Sequence, residues 1–270
     1  MAVSINGKLT QLANEYYISY GSFEQKKIDS SVVTLHSRLR SHFGSDILSI
    51  NEFGSYKSDT ILPRKYDEDS DVDLMVVFNH ASLSVAPGTY RNYLINFADK
   101  KYSRSDVKKS SPTVILELDH IKYDLIPTYE ELKPWFNTKT IYIPQNDSSW
   151  MVTDPHGFNA ELTRANTANS SNIKKIIRLL KAWNAKVGYP IASYSLEQEI
   201  ARMNYFMWDK SLDSYFFTAI SGLNMYRNGN IFTPHQKIVS LKENTNKIKA
   251  CLQSDNLVGA HAWLAHILPI

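Results

Sequence analysis

Along the chain the apolar positions change period, and each change predicts a different element. From Phe23 to Phe43, Ile28, Val32, Leu35, Leu39 and Phe43 recur every three or four residues, and Glu24, Lys26, Lys27, Asp29, Arg38 and Arg40 fill the other positions. That spacing predicts a long amphipathic helix stopped by Gly44. A shorter helix is expected over 8–20, where Leu9, Leu12, Ala13, Tyr16 and Tyr17 fall on one side. Ile47–Phe53 reads as a strand. In Asp71–Phe78 the period drops to two: Val72, Leu74, Val76 and Phe78 face one way, and Asp71 and Asp73 the other. A helix is expected around Tyr90–Tyr102. Val114–Leu118 and Ile121–Ile126 then read as two strands about an Asp119-His120 turn, with Pro127 ending the second. In that second strand Asp124 shares a face with Lys122 and Ile126, opposite Ile121, Tyr123 and Leu125.

From Pro127 to about Ser171, Pro134, Pro144, Pro155 and many Asn, Ser and Thr residues predict a loop-like connection. Beyond it helical periods return at about 173–187, 195–208, 211–223, 235–254 and 257–267. Mixed elements followed by helices alone predict an α+β protein: a mixed-sheet lobe with flanking helices over residues 1–150 and a helical lobe over 151–270.

Composition narrows the class without naming it. A formal net charge of +3 does not by itself argue for stable nucleic-acid binding. One cysteine, Cys251, leaves no intrachain disulfide and no cysteine-rich zinc ribbon. The first ten residues lack the basic and apolar regions of a signal peptide, and no apolar run is long enough to span a membrane. The expectation is a soluble cytoplasmic protein with no membrane partner.

The chemistry lies in the acids. Two carboxylates side by side on one strand face are costly unless a positive charge sits between them. Asp71, Asp73 and Asp124, on two strands able to pair, form a set of hard oxygen ligands suited to Mg²⁺ or Mn²⁺. Two such ions per site can activate an attacking hydroxyl and stabilise a leaving pyrophosphate. Asp71 and Asp73 would then bridge both ions, and Asp124 would complete the one beside the hydroxyl. Asp67, Glu68 and Asp69 precede the apolar run and read as an exposed loop. Upstream, Gly54 lets the backbone approach a phosphate, and the Ser55 hydroxyl can donate to it.

Gly54-Ser55, the Asp-x-Asp strand and the later Asp124 resemble the DNA polymerase β-like nucleotidyltransferases. Two downstream segments, IKKIIRLLKAWNAK and ASYSLEQEI, are similar to the helical lobe of the cGAS/DncV-like enzymes of the bacterial SMODS type. WMVTDPHGFNAELTRAN and AHAWLAHILP share that likeness more loosely. The resemblance implies a polymerase β-like lobe followed by a helical lobe, with the active site in the cleft between them. It implies synthesis of a cyclic or short linear oligonucleotide second messenger from nucleoside triphosphates, ATP among them, in antiphage defence. A separate downstream effector would read the product, and the likeness leaves room for an activating regulator. By position, Gly54 and Ser55 match the phosphate turn, and Lys181 and Ser193 match contacts to the triphosphate. Tyr194 matches a base-stacking aromatic, although a core aromatic would fit the same place. The chain departs from the pattern after Gly-Ser: Tyr56-Lys57-Ser58-Asp59-Thr60 replaces a small residue and a Gly-Thr, and the spacer to Asp71 is long.

Lys174, Arg178 and Lys181 lie at i, i+4 and i+7, which reads as a solvated face for the first two and a phosphate contact for the third. Trp183 and Trp263 read as core, and the histidines show no ligand spacing. Two other readings keep the fold: an RNA-tailing or protein-nucleotidylating transferase, and a catalytically degenerate nucleotide sensor.

Overall fold

The periodicities fold as written over most of their length. In the computed structural model, residues 3–103, 105–110, 113–133, 138–206, 208–226 and 235–270 are described. In chain order the elements are α1 (Ile5–Glu15), α2 (Phe23–Phe43), β1 (Ile47–Phe53), the four-residue α3 (Gly54–Lys57), β2 (Asp71–Phe78), the short α4 (His80–Leu83), α5 (Pro87–Lys101), β3 (Asp106–Ser110), β4 (Thr113–Glu117), β5 (Lys122–Lys133), β6 (Thr138–Pro144), β7 (Trp150–Thr153), α6 (Pro155–Ala168), α7 (Ile173–Lys186), α8 (Ser193–Arg202), α9 (Leu212–Gly222), α10 (Gln236–Gln253) and α11 (Leu257–Ile267). None of the described helices is long and apolar enough to cross a membrane.

The chain forms two compact units. One comprises Ser19–Arg64 and Asp69–Gly157, and the other Met1–Ile18, Lys65–Glu68 and Phe158–Ile270. The division is therefore not a single cut near residue 150. The first helix belongs with the later helices because its stripe of Leu9, Leu12 and Ala13 is fully buried and packs with α7 and α9.

The sheet unit is built on β1-β2-β5-β4-β3, with β2 and β5 parallel and the other pairs antiparallel. Val72, Leu74, Val76 and Phe78 are all fully buried, as their alternation requires. Phe78 stacks on Tyr90 of α5 at 4.5 Å and meets Phe43 of α2 edge-on at 5.4 Å. Tyr123, opposite Asp124 in parity, donates its hydroxyl to the Ile28 carbonyl of α2. The apolar face is thus sealed by helices, and the other face carries the acids. The long helix α2 starts on a Ser22 cap, whose Oγ accepts from the Gln25 amide at 3.2 Å, and stops at Gly44, φ 55°.

The stretch after Pro127 does not form the expected loop. β5 continues through Pro127 to Lys133, β6 pairs with β5 and β7 with β6, both antiparallel, and α6 follows; residues 134–137 lie outside the described residues. The strand survives its proline because of which edge the missing N–H faces. The Leu118 amide donates to the Ile121 carbonyl, so the backbone groups of residues 121, 123, 125 and 127 point toward β4. Pairing to β4 ends at Leu125 and pairing to β6 begins at Tyr129. Among the described residues Pro127 falls between the two pairings, and its missing N–H breaks no bond of either.

In the helical unit, α7 is the central element. Ile173, Ile176, Ile177, Leu179 and Leu180 are fully buried, and Trp183 nearly so. Trp263 is only half-buried, with the Lys247 ammonium 4.0 Å above its ring.

Candidate active site

Strand register brings the acids together. In the parallel pairing of β2 with β5, Asp71 lies opposite Lys122 and Asp73 opposite Asp124. In-register residues share a face, so all three carboxylates project from the side away from α2 and α5. One oxygen from each lies within 4.8 Å of the others. Asp69, just before the strand, pairs with Lys122.

The electrostatics of the cluster is that of an incomplete site. Asp124 Oδ1 is buried and has no hydrogen-bond partner among the described residues. Burial raises the Asp124 carboxyl, a hydrogen bond from Thr113 lowers it, and the charge of Asp71 raises it again; the net is a push from 3.8 up to about 6. A buried acceptor left open within a ring of oxygens is what a divalent cation would satisfy. The residues fit the ion.

Gly54 opens α3 against this cluster. Its φ is 67°, in the left-handed region, and a Cβ there would sit 1.9 Å from Asp73 Oδ2. Glycine is required by both conformation and space. The Ser55 carbonyl accepts from the amides of Thr60 and Ile61 at 2.9 and 3.0 Å, which closes the turn. Asp59, where the Gly-Thr was expected, adopts φ 58° and so takes the conformation a glycine would have supplied. Part of the long spacer belongs to the helical unit. There Tyr66 meets Tyr16 edge-on at 4.5 Å, and Asp67 is buried and accepts from the Tyr189 hydroxyl rather than lying in an exposed loop.

The other three site residues gather on α7 and α8. Lys181 is buried, and its Nζ donates to Glu197 Oε1 at 2.9 Å, with both side chains 6% exposed. Glu197 lies one turn after Ser193 on α8, so the ion pair anchors the turn that carries Ser193 and Tyr194. Tyr194 is 57% exposed, with its ring edge-on to Phe158 at 5.1 Å, so it is not a core aromatic. Arg178 departs from the solvated face expected of it: it is buried, its Nε donates to the Ala13 carbonyl, and its guanidinium lies 4.6 Å over Tyr17. Glu197 escaped the sequence reading, although a glutamate between buried Leu196 and Ile200 is a signal for a buried partner.

A family model described as "Second Messenger Oligonucleotide or Dinucleotide Synthetase domain" (SMODS) matches residues 3–166, more than half of the chain. The chain belongs to this family. Against curated proteins, it is 25% identical over 113 residues to a probable cyclic nucleotide synthase, IK1_05630, of Bacillus cereus (strain VD146); the match covers 40% of this chain and 34% of that protein. The SMODS fold recurs in solved structures of low identity. Escherichia coli MS115-1 CdnC with ATP has a TM-score of 0.68 at 13% identity, covering 98% of this chain and 97% of that one, and the same protein is also known in complex with HORMA-deltaN. Bradyrhizobium diazoefficiens CdnG with GTP has a TM-score of 0.65 at 13% identity, with the same coverage. These likenesses establish the shared fold of sheet and C-terminal helices.

Proposed function

We propose that this SMODS protein is a divalent-metal-dependent nucleotidyltransferase that joins nucleoside triphosphates into a cyclic or short linear oligonucleotide second messenger. The observation that carries the reading is the convergence of Asp71, Asp73 and Asp124, with Asp124 Oδ1 buried and without a partner among the described residues.

Asp71 and Asp73 would hold the two ions, and Asp124 would complete the set beside the attacking hydroxyl. Bound there, Mg²⁺ or Mn²⁺ supplies positive charge that acidifies the hydroxyl and neutralises the departing pyrophosphate. The hydroxyl oxygen of one nucleotide attacks the α-phosphorus of another, the bond to the β-phosphate oxygen breaks, and pyrophosphate leaves. Asp124 would receive the proton. Gly54 admits the phosphates close to the backbone, and the Ser55 hydroxyl donates to them. In the helical unit we assign Ser193 and Lys181 to phosphate and Tyr194 to stacking on a base. Glu197 would hold the Lys181 ammonium in place. ATP and GTP in the solved relatives support nucleoside triphosphates as substrates, and the CdnC–HORMA-deltaN complex supports a protein regulator. A separate effector in the cytoplasm would respond to the product.

The test is direct. Purified protein is incubated with the four labelled ribonucleoside triphosphates and Mg²⁺ or Mn²⁺, treated with phosphatase, and the products are resolved by mass. Phosphatase-resistant oligonucleotides are expected. Label found only on added RNA or on protein would transfer the chemistry to a tailing or nucleotidylating enzyme.

A further inference from the structure

The two oxygens of Asp124 have different surroundings. β5 lies between β2 and β4, so Asp124 stands opposite Asp73 on one flank and opposite Ile115 on the other. Ile115 has no side-chain donor. Thr113, two residues earlier on β4, shares the face of Ile115 and is a diagonal neighbour of Asp124. Its hydroxyl donates to the Asp124 carboxylate. Oδ1 is buried without a hydrogen-bond partner among the described residues, which leaves Oδ2 as the acceptor. One oxygen of Asp124 is thus committed to β4. The other is open, in a cluster where one oxygen from each of Asp71, Asp73 and Asp124 lies within 4.8 Å of the others.

We infer that Thr113 is a positioning residue: it makes Asp124 a one-oxygen ligand and so sets which divalent ion the site prefers. The inference rests on the metal reading of the three carboxylates. A carboxylate can meet a cation through one oxygen or through both. Mg²⁺ demands a near-ideal octahedron of oxygens at about 2.0–2.1 Å, and the two oxygens of one carboxylate lie too close together to fill neighbouring corners of it. Mn²⁺ takes the same octahedral oxygen set. Ca²⁺ is larger, gathers more oxygens at about 2.3–2.6 Å, and accepts a carboxylate through both of its oxygens. A hydroxyl that occupies Oδ2 opposes the two-oxygen mode and leaves the one-oxygen mode open. The same bond fixes the carboxylate before any ion arrives, which lowers the ordering cost of binding. Thr113 therefore tilts the site toward Mg²⁺ and Mn²⁺ and away from Ca²⁺. It comes from a strand that supplies none of the three acids, so their spacing in the chain does not announce it.

Metal binding decides the matter without turnover. Mn²⁺ is titrated into the nucleotide-free protein to millimolar concentration, and the free ion is read by electron paramagnetic resonance. Ca²⁺ is then added as a competitor. Asp71→Ala with Asp73→Ala identifies the binding that belongs to the carboxylates. Thr113→Val removes the hydroxyl and keeps the branched shape, whereas Thr113→Ser keeps the hydroxyl. Loss of an outer-shell partner costs about 10–100-fold in metal affinity, so Thr113→Val should weaken Mn²⁺ by about tenfold or more. Ca²⁺ should lose less, because the freed oxygen becomes available to it, and should displace Mn²⁺ at a lower ratio than in the wild type. Thr113→Ser should restore both values. Thermal melting checks that each variant folds, and Thr113→Ala takes the place of Thr113→Val should that variant not fold. The inference is overturned if the folded variant without the hydroxyl binds Mn²⁺ as the wild type does. It is equally overturned if Mn²⁺ and Ca²⁺ weaken by the same factor, the result of a purely structural role. If the wild type and the double aspartate variant bind Mn²⁺ alike, the metal reading itself falls and this inference with it. If the acids are needed for Mn²⁺ and the hydroxyl is not, only the role of Thr113 is lost.

Discussion

Each unit buries a cluster of charge, and the two clusters are finished to different degrees. On α7 and α8, Lys181 and Glu197 meet at 2.9 Å, Arg178 reaches the Ala13 carbonyl and the Tyr17 ring, and Asn184 exchanges hydrogen bonds with the backbone of Ile191 in both directions. Each of these buried polar groups has a partner within the helical unit. On β2 and β5, three carboxylates converge within 4.8 Å, and one buried oxygen has no hydrogen-bond partner among the described residues. A folded protein tolerates such a cost where a ligand will offset it. The first cluster is satisfied by the protein itself, and the second has the ligand chemistry of a divalent-cation site.

That contrast fails or sharpens first at the carboxylates. Asp71→Ala with Asp73→Ala is expected to abolish product while leaving the melting temperature at or above that of the wild type, since like charges are removed from one strand face. Product analysis by mass together with thermal melting checks both halves. Full activity in the double variant would break the metal assignment, and a collapsed fold would make the cluster structural instead.

The helical cluster should respond in the opposite sense. Lys181→Met leaves Glu197 buried without its ammonium, and breaking a buried pair from one side costs about 3–5 kcal/mol. Chemical denaturation should show that loss, and adding Glu197→Leu should recover most of it, because two apolar side chains need no partners. A single-variant cost below about 1 kcal/mol, the level of a solvated surface pair, would erase the contrast.

Asp124 tests the open cluster without abolishing charge on β2. With its carboxyl pushed up to about 6 against 3.8 for the free residue, the folded protein binds the proton more tightly than the unfolded chain does. Stability of the ion-free protein therefore falls as pH rises from about 4 to 6, and stays lowered above it. Asp124→Asn lacks that penalty, so it should be more stable than the wild type at pH 8 by on the order of 2 kcal/mol after allowance for partial exposure. The gap should shrink below pH 6 and vanish near pH 4. Melts in the presence of a chelator give the difference. Adding Mg²⁺ should raise the melting temperature of the wild type and leave the variant unmoved.

Much of this was readable from the chain because single periods decided it. α2 was delimited by its apolar stripe and Gly44, and the face of Asp71 and Asp73 followed from alternation in β2 alone. What resisted reading depended on neighbours far away in sequence. Pro127 reads as a strand end in isolation, and its place between the pairings to β4 and β6 among the described residues is a fact of the folded sheet. β6 buries only Ile141 and Pro144 and β7 buries none of its residues, so hydrogen bonding of β6 to β5 and of β7 to β6, rather than an alternating buried face, defines them. The grouping of α1 with the later helices, and the Glu197 partner of Lys181, are likewise facts of packing. The conformation of Asp59 was hidden because an aspartate stands where glycine would have announced it.

Asp59 also gives the smallest and most specific expectation. A non-glycine residue at φ 58° carries a strain of roughly 1 kcal/mol, moderated for aspartate by its short polar side chain. Asp59→Gly relieves that strain but frees the unfolded chain, and the two effects oppose each other, so stability should shift by no more than about 1 kcal/mol in either direction. The turn is also held by the Thr60 and Ile61 amides, which donate to the Ser55 carbonyl. Activity should accordingly stay within about twofold of the wild type if Asp59 serves only backbone geometry. Asp59→Val provides the opposing arm: a β-branched residue is excluded from this conformation, so the turn should open and product should fall. If Gly and Val are equally active, the backbone at residue 59 does not position Ser55, and the α3 turn is not part of the open site that the carboxylates define.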